Sequence, residues 1–173
     1  MSEVQILSPR PLIFLNSVQR MVMGKKIIAI IGAGRAEGDL LKIAEKVGRL
    51  VAERNAILVC GGLGGVMEAA AKGAKEAGGT TIGILPSDRK DQANPYIDIP
   101  IPTGFGDGRN VIIIRTADAV IAVGGEYGTL SEIAFALKAG KPVAGIKSWD
   151  INGIIKADND EDAINKIFDL LKS

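Results

Sequence analysis

Short apolar runs recur along the chain at Ile27 to Ile31, Ile57 to Cys60, Thr80 to Leu85, Ala119 to Val123, Pro142 to Ile146 and Ile154 to Ala157. Unbroken runs of this length suit strands buried on both faces. Between them the spacing switches to a helical one. Leu40, Ile43, Ala44, Val47, Leu50 and Val51 line one face, with Asp39 placed to cap the helix, and Leu130, Ile133, Ala134 and Leu137 line another. Thr129 and Glu132 form the T-x-x-E pattern of a capping box ahead of that second stripe. A helix from Val66 to about Ala77 has an inner face of alanines, and a last helix from Asp158 to Leu171 opens with an acidic turn that suits the dipole. Strands alternating with helices predict a three-layer α/β fold with a mainly parallel sheet, its ligands at the carboxyl ends of the strands.

Two stretches resist the pattern. Val111-Ile112-Ile113-Ile114 is β-branched, yet only four residues separate it from the strand at Ala119, which would force a hairpin into a parallel arrangement. The segment from Asp107 to Thr116 is therefore read as a helix. From Pro86 to about Gly106 the chain is rich in proline and glycine and reads as a long irregular loop, functional or lid-like and mobile without ligand. Residues 1–24 read as an N-terminal extension, with Met1, Met21 and Met23, two prolines and no helical period; a docked strand from Leu12 to Leu15 is the alternative. Residues 25–173 form one domain.

Composition narrows the chemistry. With 173 residues, 47% of them apolar, and a net charge of +1, the chain can bury a full core and lacks the basic excess of an electrostatic nucleic-acid binder. No stretch reads as a signal peptide or membrane span. The single cysteine, Cys60, excludes an intrachain disulfide and a multi-thiolate zinc site, and fits a reducing cytoplasm. There is no histidine, so any catalysis falls to carboxylates, arginine, lysine, tyrosine, hydroxyls or backbone, and neither a metal nor a cofactor is called for.

Three strand ends carry glycines: Gly32-Ala33-Gly34, then Gly61-Gly62-Leu63-Gly64-Gly65, then Gly124-Gly125. A glycine turn leading into a helix points free backbone N–H groups and a positive dipole end at whatever occupies the turn. The first turn is no dinucleotide fingerprint, because its third glycine falls one place late at Gly38 and the second strand ends at Cys60-Gly61 without an acidic ribose anchor. No P-loop occurs either. Any one of these turns could be a tight connection only, but three at one sheet edge predict a crevice for a phosphorylated small molecule.

Gly61 to Glu68, followed by Gly124-Gly125-Glu126-Tyr127-Gly128-Thr129-Leu130-Ser131-Glu132, resembles the LOG superfamily, once called lysine decarboxylase-like, whose fold is Rossmann-like. Its best-understood members are nucleoside 5′-monophosphate phosphoribohydrolases with the signature P-G-G-x-G-T-x-x-E, preceded by an Arg-Lys pair nine residues before the aspartate that opens the strand. Arg109 stands nine before Asp118 here. The resemblance implies Arg109 and Glu132 as a catalytic pair, with Gly125, Gly128 and Thr129 holding phosphate; Asp118 would serve the start of the strand and Tyr127 would stack on a ligand or cover the turn. The chain departs from the signature at Gly124, Glu126 and Asn110, where the family has proline, glycine and lysine. A carboxylate at 126 and the loss of a lysine both disfavour phosphate, which weakens the hydrolase reading. Glu132 could equally be a capping-box residue. Gly64-Gly65-Val66-Met67-Glu68-Ala69-Ala70 is similar to a second branch, the molybdenum cofactor carrier-like proteins and their prokaryotic relatives. That branch implies a binder of a nucleotide or pterin phosphate, a carrier or sensor, with N-glycosidic hydrolysis as the alternative. Superfamily members are commonly homodimers or larger, so an oligomeric structural module is a third reading, with the alanines from Ala69 to Ala77 or the run Val111 to Ile114 as the intersubunit surface.

Overall fold

The computed structural model describes residues 24–172; the expected extension, with its alternative strand at Leu12 to Leu15, lies outside the described residues apart from Gly24. The elements in chain order are β1 (Ile27–Gly32), α1 (Asp39–Glu53), β2 (Ile57–Cys60), α2 (Val66–Glu76), β3 (Thr80–Leu85), β4 (Ile99–Pro102), α3 (Asn110–Thr116), β5 (Ala119–Val123), α4 (Tyr127–Lys138), β6 (Val143–Ile146), β7 (Ile155–Lys156) and α5 (Asp160–Leu170). Short 3-10 turns stand at Lys90–Gln92 and Gly106–Arg109. The strands form one sheet in the order β4-β3-β2-β1-β5-β6-β7, and every neighbouring pair is parallel. This is the expected three-layer Rossmann-like architecture.

The apolar runs are continuous because both faces of the sheet are covered. Ile28 and Ile30 of β1 pack with Val47 and Val51 of α1, Ala70 of α2 and Ile164 and Ile167 of α5. Ala29 and Ile31, alternating with them, pack on the other face with Ile113 of α3 and Ile133 and Ala136 of α4. Much of the alanine-rich face of α2 is spent inside the subunit, since Ala70, Ala71 and Ala74 are buried, while Ala69 and Ala77 are half-buried. The segment 107–116 is helical as expected: Ile113 and Ile114 fill the core that a hairpin would have left open.

Two expectations fail locally. The stretch after Pro86 is not wholly irregular, because Ile99 to Pro102 pairs with Ile82 to Leu85 as an edge strand, where prolines are tolerated. Its middle is tied down by Asn94, whose backbone N–H donates to Gly62 O at 2.9 Å and whose side chain donates to Leu63 O at 2.9 Å. Asp39 is the first helical residue rather than the cap; Gly38 takes that place at a φ of 59°, a conformation glycine adopts at no steric cost. Elsewhere local chemistry acts as the pattern suggests. Asp118 accepts the backbone N–H of Ile27 at 2.8 Å and so locks the start of β1 to that of β5, and Asn159 caps α5 by accepting from Asp162 N at 2.9 Å. The Lys141 ammonium donates to the carbonyls of Ile114 at 2.7 Å and Arg115 at 3.1 Å and to that of Ala117, satisfying the C-terminal end of α3. Among the described residues no helix is long and apolar enough to cross a membrane.

Candidate functional site

Strand order reverses between β1 and β5, which pair from Ile28↔Ala119 to Gly32↔Val123. Beyond a reversal of this kind the connections leave in opposite directions and open a crevice at the carboxyl edge. A cleft of about 220 Å³ lies there. Its walls come from the end of β1 with Gly32, Ala33 and Gly34, from Gly61, Leu63 and Met67 after β2, from Asp107, Arg109 and Asn110 before and at the start of α3, and from Glu126, Gly128, Thr129 and Glu132.

The first turn of α4 supplies donors. Its cap position is held by Glu126, whose side chain makes no capping bond, and the backbone N–H groups of Tyr127, Gly128 and Thr129 meet no acceptor among the described residues. The helix therefore begins at Tyr127, two residues ahead of Thr129. This overturns the capping-box reading of Thr129 and Glu132. Glu132 lies well inside the helix, and at 6% exposure its carboxylate points into the cleft instead of back to a cap amide.

Opposite stands Arg109, 9% exposed, at the end of the Gly106–Arg109 turn. Its Nη1 donates to Asn110 Oδ1 at 2.8 Å and lies 3.8 Å from Glu132 Oε1, whereas its buried Nε has no acceptor. Asn110, in the place of the family's lysine, orients the guanidinium and also reaches Ser131 Oγ at 3.5 Å. Burial lifts the Glu132 carboxyl to about 7, with Arg109 opposing the rise, and burial likewise pulls the Arg109 guanidinium down while Glu132 holds it up. Beneath the cleft, burial pushes the Cys60 thiol up to about 11, and its Sγ accepts from Gly62 N at 3.4 Å. Cys60 thus braces the second glycine turn and is no nucleophile.

Of the residues singled out from sequence, Gly32, Gly34, Gly61, Arg109, Gly128, Thr129 and Glu132 meet at the cleft. Gly62, Gly64, Gly65, Gly124, Gly125 and Tyr127 do not line it. A Cβ on Gly65 would sit 2.4 Å from Ala33 O, so this glycine lets the first two turns touch; Gly125, at a φ of 130°, faces the Thr129 side chain in the same way. Gly62 packs against Leu85 and Gly124 against Leu40, while Gly64 lies near Gly34 O. Tyr127 is 82% exposed, its ring 6.0 Å from that of Trp149. Sequence reading had not placed Asp107, Met67 or Leu63 at the site, and only tertiary proximity brings them there.

Gly61 has the most direct link to the site. A Cβ there would lie 2.6 Å from both Nη atoms of Arg109 and 2.6 Å from Met67 Sδ, all of them ends of flexible side chains. Gly61→Ala should therefore displace the guanidinium at a stability cost of about 1 kcal/mol, while weakening the phosphate binding proposed below at least tenfold. Titration calorimetry beside a urea melt separates the two; a large stability loss with unchanged affinity would contradict it.

A parallel sheet with its crevice at the reversal of strand order defines a Rossmann-like protein. Within that class the chain belongs to the SLOG cluster4 family, whose sequence model matches residues 25–169. An uncharacterised protein of Archaeoglobus fulgidus is 51% identical over 139 residues, 80% of this chain and 91% of its own. The molybdenum cofactor binding protein of Rippkaea orientalis superposes with a TM-score of 0.82 at 40% identity, covering 86% of this chain and 99% of that one. The cytokinin riboside 5′-monophosphate phosphoribohydrolase of Mycobacterium tuberculosis is 33% identical over 127 residues, 68% of this chain and 67% of its own. The resemblance to the LOG superfamily, nearer its molybdenum cofactor carrier-like branch, is thereby borne out.

Proposed function

We propose that this protein binds a phosphorylated small molecule, a nucleotide or a pterin phosphate, in the cleft between β1 and β5, and acts as a carrier or sensor in the cytoplasm. The observation that carries this reading is the pairing of an uncapped helix N-terminus with a buried guanidinium whose Nε lacks an acceptor. Three free N–H groups at the positive end of α4 suit phosphoryl oxygens, and Arg109 adds the full charge. The likeness to a molybdenum cofactor binding protein at 40% identity supports a ligand of this kind. Glu126 does not defeat it, because that side chain is exposed at the mouth and can stay in water.

N-glycosidic cleavage of nucleoside monophosphates is the second reading, favoured by the Arg109–Glu132 pair at 3.8 Å and by the mycobacterial relative. An oxocarbenium-like ribose would be stabilised by the Glu132 carboxylate, which could alternatively activate water; Arg109 would orient the phosphate or assist the leaving base. One experiment addresses both. Incubation with AMP, other nucleoside monophosphates and a pterin phosphate, followed by chromatography and thermal shift, should give stabilisation without release of base. Release of base and ribose 5-phosphate would establish the hydrolase, and neither stabilisation nor release would refute both. Homo-oligomerisation belongs to the same proposal, with Phe135, 42% exposed beside Val111 and Ile114, as the contact.

A further inference from the structure

The cleft sets one cation against several carboxylates. Among the described residues Arg109 is the sole basic one lining it, whereas Asp107, Glu126 and Glu132 all contribute acidic groups. Two of those acids are exposed at the mouth, where water and salt screen them. Glu132 is different. Its carboxyl is buried and, among the described residues, makes no hydrogen bond and has the Arg109 guanidinium at 3.8 Å as its only charged partner.

Resting on the reading that the cleft takes a phosphorylated ligand, we propose that Glu132 enters the complex as the neutral carboxylic acid, so that each phosphate monoester bound brings one proton with it. The argument is one of charge and access. Arg109 Nη1 is already committed to Asn110 Oδ1, so a phosphate in the cleft meets the remainder of the guanidinium and the free N–H groups of α4. A phosphate monoester carries close to two negative charges near neutrality. With the carboxylate of Glu132 beside it, three negative charges would face one cation in a site from which the ligand has displaced water. The groups that face Glu132 cannot relieve this. Cys60, from the end of β2, is a neutral thiol; Asp107 and Glu126 add negative charge at the mouth; among the described residues no lysine or second arginine lines the walls. Protonation removes the excess and turns a repelling oxygen into an O–H donor directed at the ligand. Glu132 is poised for it, since burial already holds this carboxyl at about 7. The sign follows from linkage: the bound anion raises that value further, so affinity for the phosphate dianion is flat below about pH 7 and falls above it by up to about tenfold per pH unit.

The test is titration calorimetry of the full chain with AMP and with ribose 5-phosphate, which has no base to lose, at pH 8 in Tris and in HEPES. The phosphate of either probe, with its second ionisation near pH 6, is already a dianion there, so proton uptake reports on the protein. Uptake close to one proton per site supports the proposal, and Glu132→Gln should abolish it together with the fall in affinity from pH 7 to 9. Binding without uptake overturns the proposal while leaving the phosphate site intact. Undiminished uptake in the glutamine variant also overturns it, by placing the proton elsewhere. Should that variant fail to fold, the pH profile of the unaltered protein decides, a flat affinity from pH 7 to 9 being the contrary result. If neither probe binds, the phosphate-site reading falls and takes this inference with it.

Discussion

Gly48→Ala is expected to lower stability by about 3 kcal/mol or more, although alanine is by about 1 kcal/mol the better helix former. A Cβ on Gly48 would stand 1.9 Å from the carbonyl oxygen of Ala70 and 2.7 Å from its carbon. Across the same crossing, a Cβ on Gly73 would stand 1.9 Å from Glu45 O. These are backbone atoms, so no side chain can step aside and α1 must move away from α2. The ion pairs that flank the crossing, Arg49 with Glu76 at 3.0 Å and Lys72 with Glu45 at 3.2 Å, would be stretched with it. Urea denaturation followed by circular dichroism measures the loss as a lower midpoint. Because one separation admits both methyl groups, Gly48→Ala with Gly73→Ala should cost clearly less than the sum of the two single changes. A midpoint unchanged or raised by Gly48→Ala would mean that helix propensity outweighs contact. The cleft should feel the shift as well, because α2 starts immediately after the Gly61 to Gly65 turn.

Such glycines mark where sequence reading stops. Gly48 and Gly73 sit in helical patterns and look like mild blemishes; their reason lies on the facing helix, which no local period reveals. The strands were legible because a sheet covered on both faces turns alternation into continuous apolar runs, as with Ile28 and Ile30 against one layer and Ala29 and Ile31 against the other. Edge strand β4 was not, because its prolines, Pro100 and Pro102, read as loop unless the partner β3 is known to lie on one side only. At the site, the spacing of Arg109 and Glu132 was legible through family resemblance, and the structure does bring them together. The local T-x-x-E pattern pointed the wrong way. It describes what Glu132 would do if the helix began at Thr129, and the actual start at Tyr127 rotates that carboxylate into the cleft. The first two glycine turns reach the cleft, yet Gly62, Gly124 and Gly125 make room for side chains and Gly65 for backbone instead of lining its surface.

Glu132→Gln should stabilise the protein at pH 8 by about 3 kcal/mol, with the gain vanishing below about pH 4. Burial raises this carboxyl from an ordinary value of 4.5 to about 7. At about 1.4 kcal/mol per pH unit that rise amounts to the stated figure. The sign runs as follows: an acid whose folded value exceeds its unfolded one binds its proton more tightly in the native state, so its favourable contribution is complete below the unfolded value and is lost as pH rises through 4.5 to 7. Above 7 the folded protein must bury a charge that Arg109 at 3.8 Å compensates only in part. Glutamine keeps the shape and removes that charge. Paired urea melts at pH 4, 6 and 8 measure the difference, which should widen with pH; a constant difference would mean that Glu132 titrates alike in the folded and unfolded chains, and a loss at pH 8 would mean that the ion pair is a net support of the fold. The expected direction matters for function. A side chain that destabilises the native state at working pH contributes nothing to the fold that glutamine could not, which is what the proton-taking role proposed for Glu132 in the cleft requires.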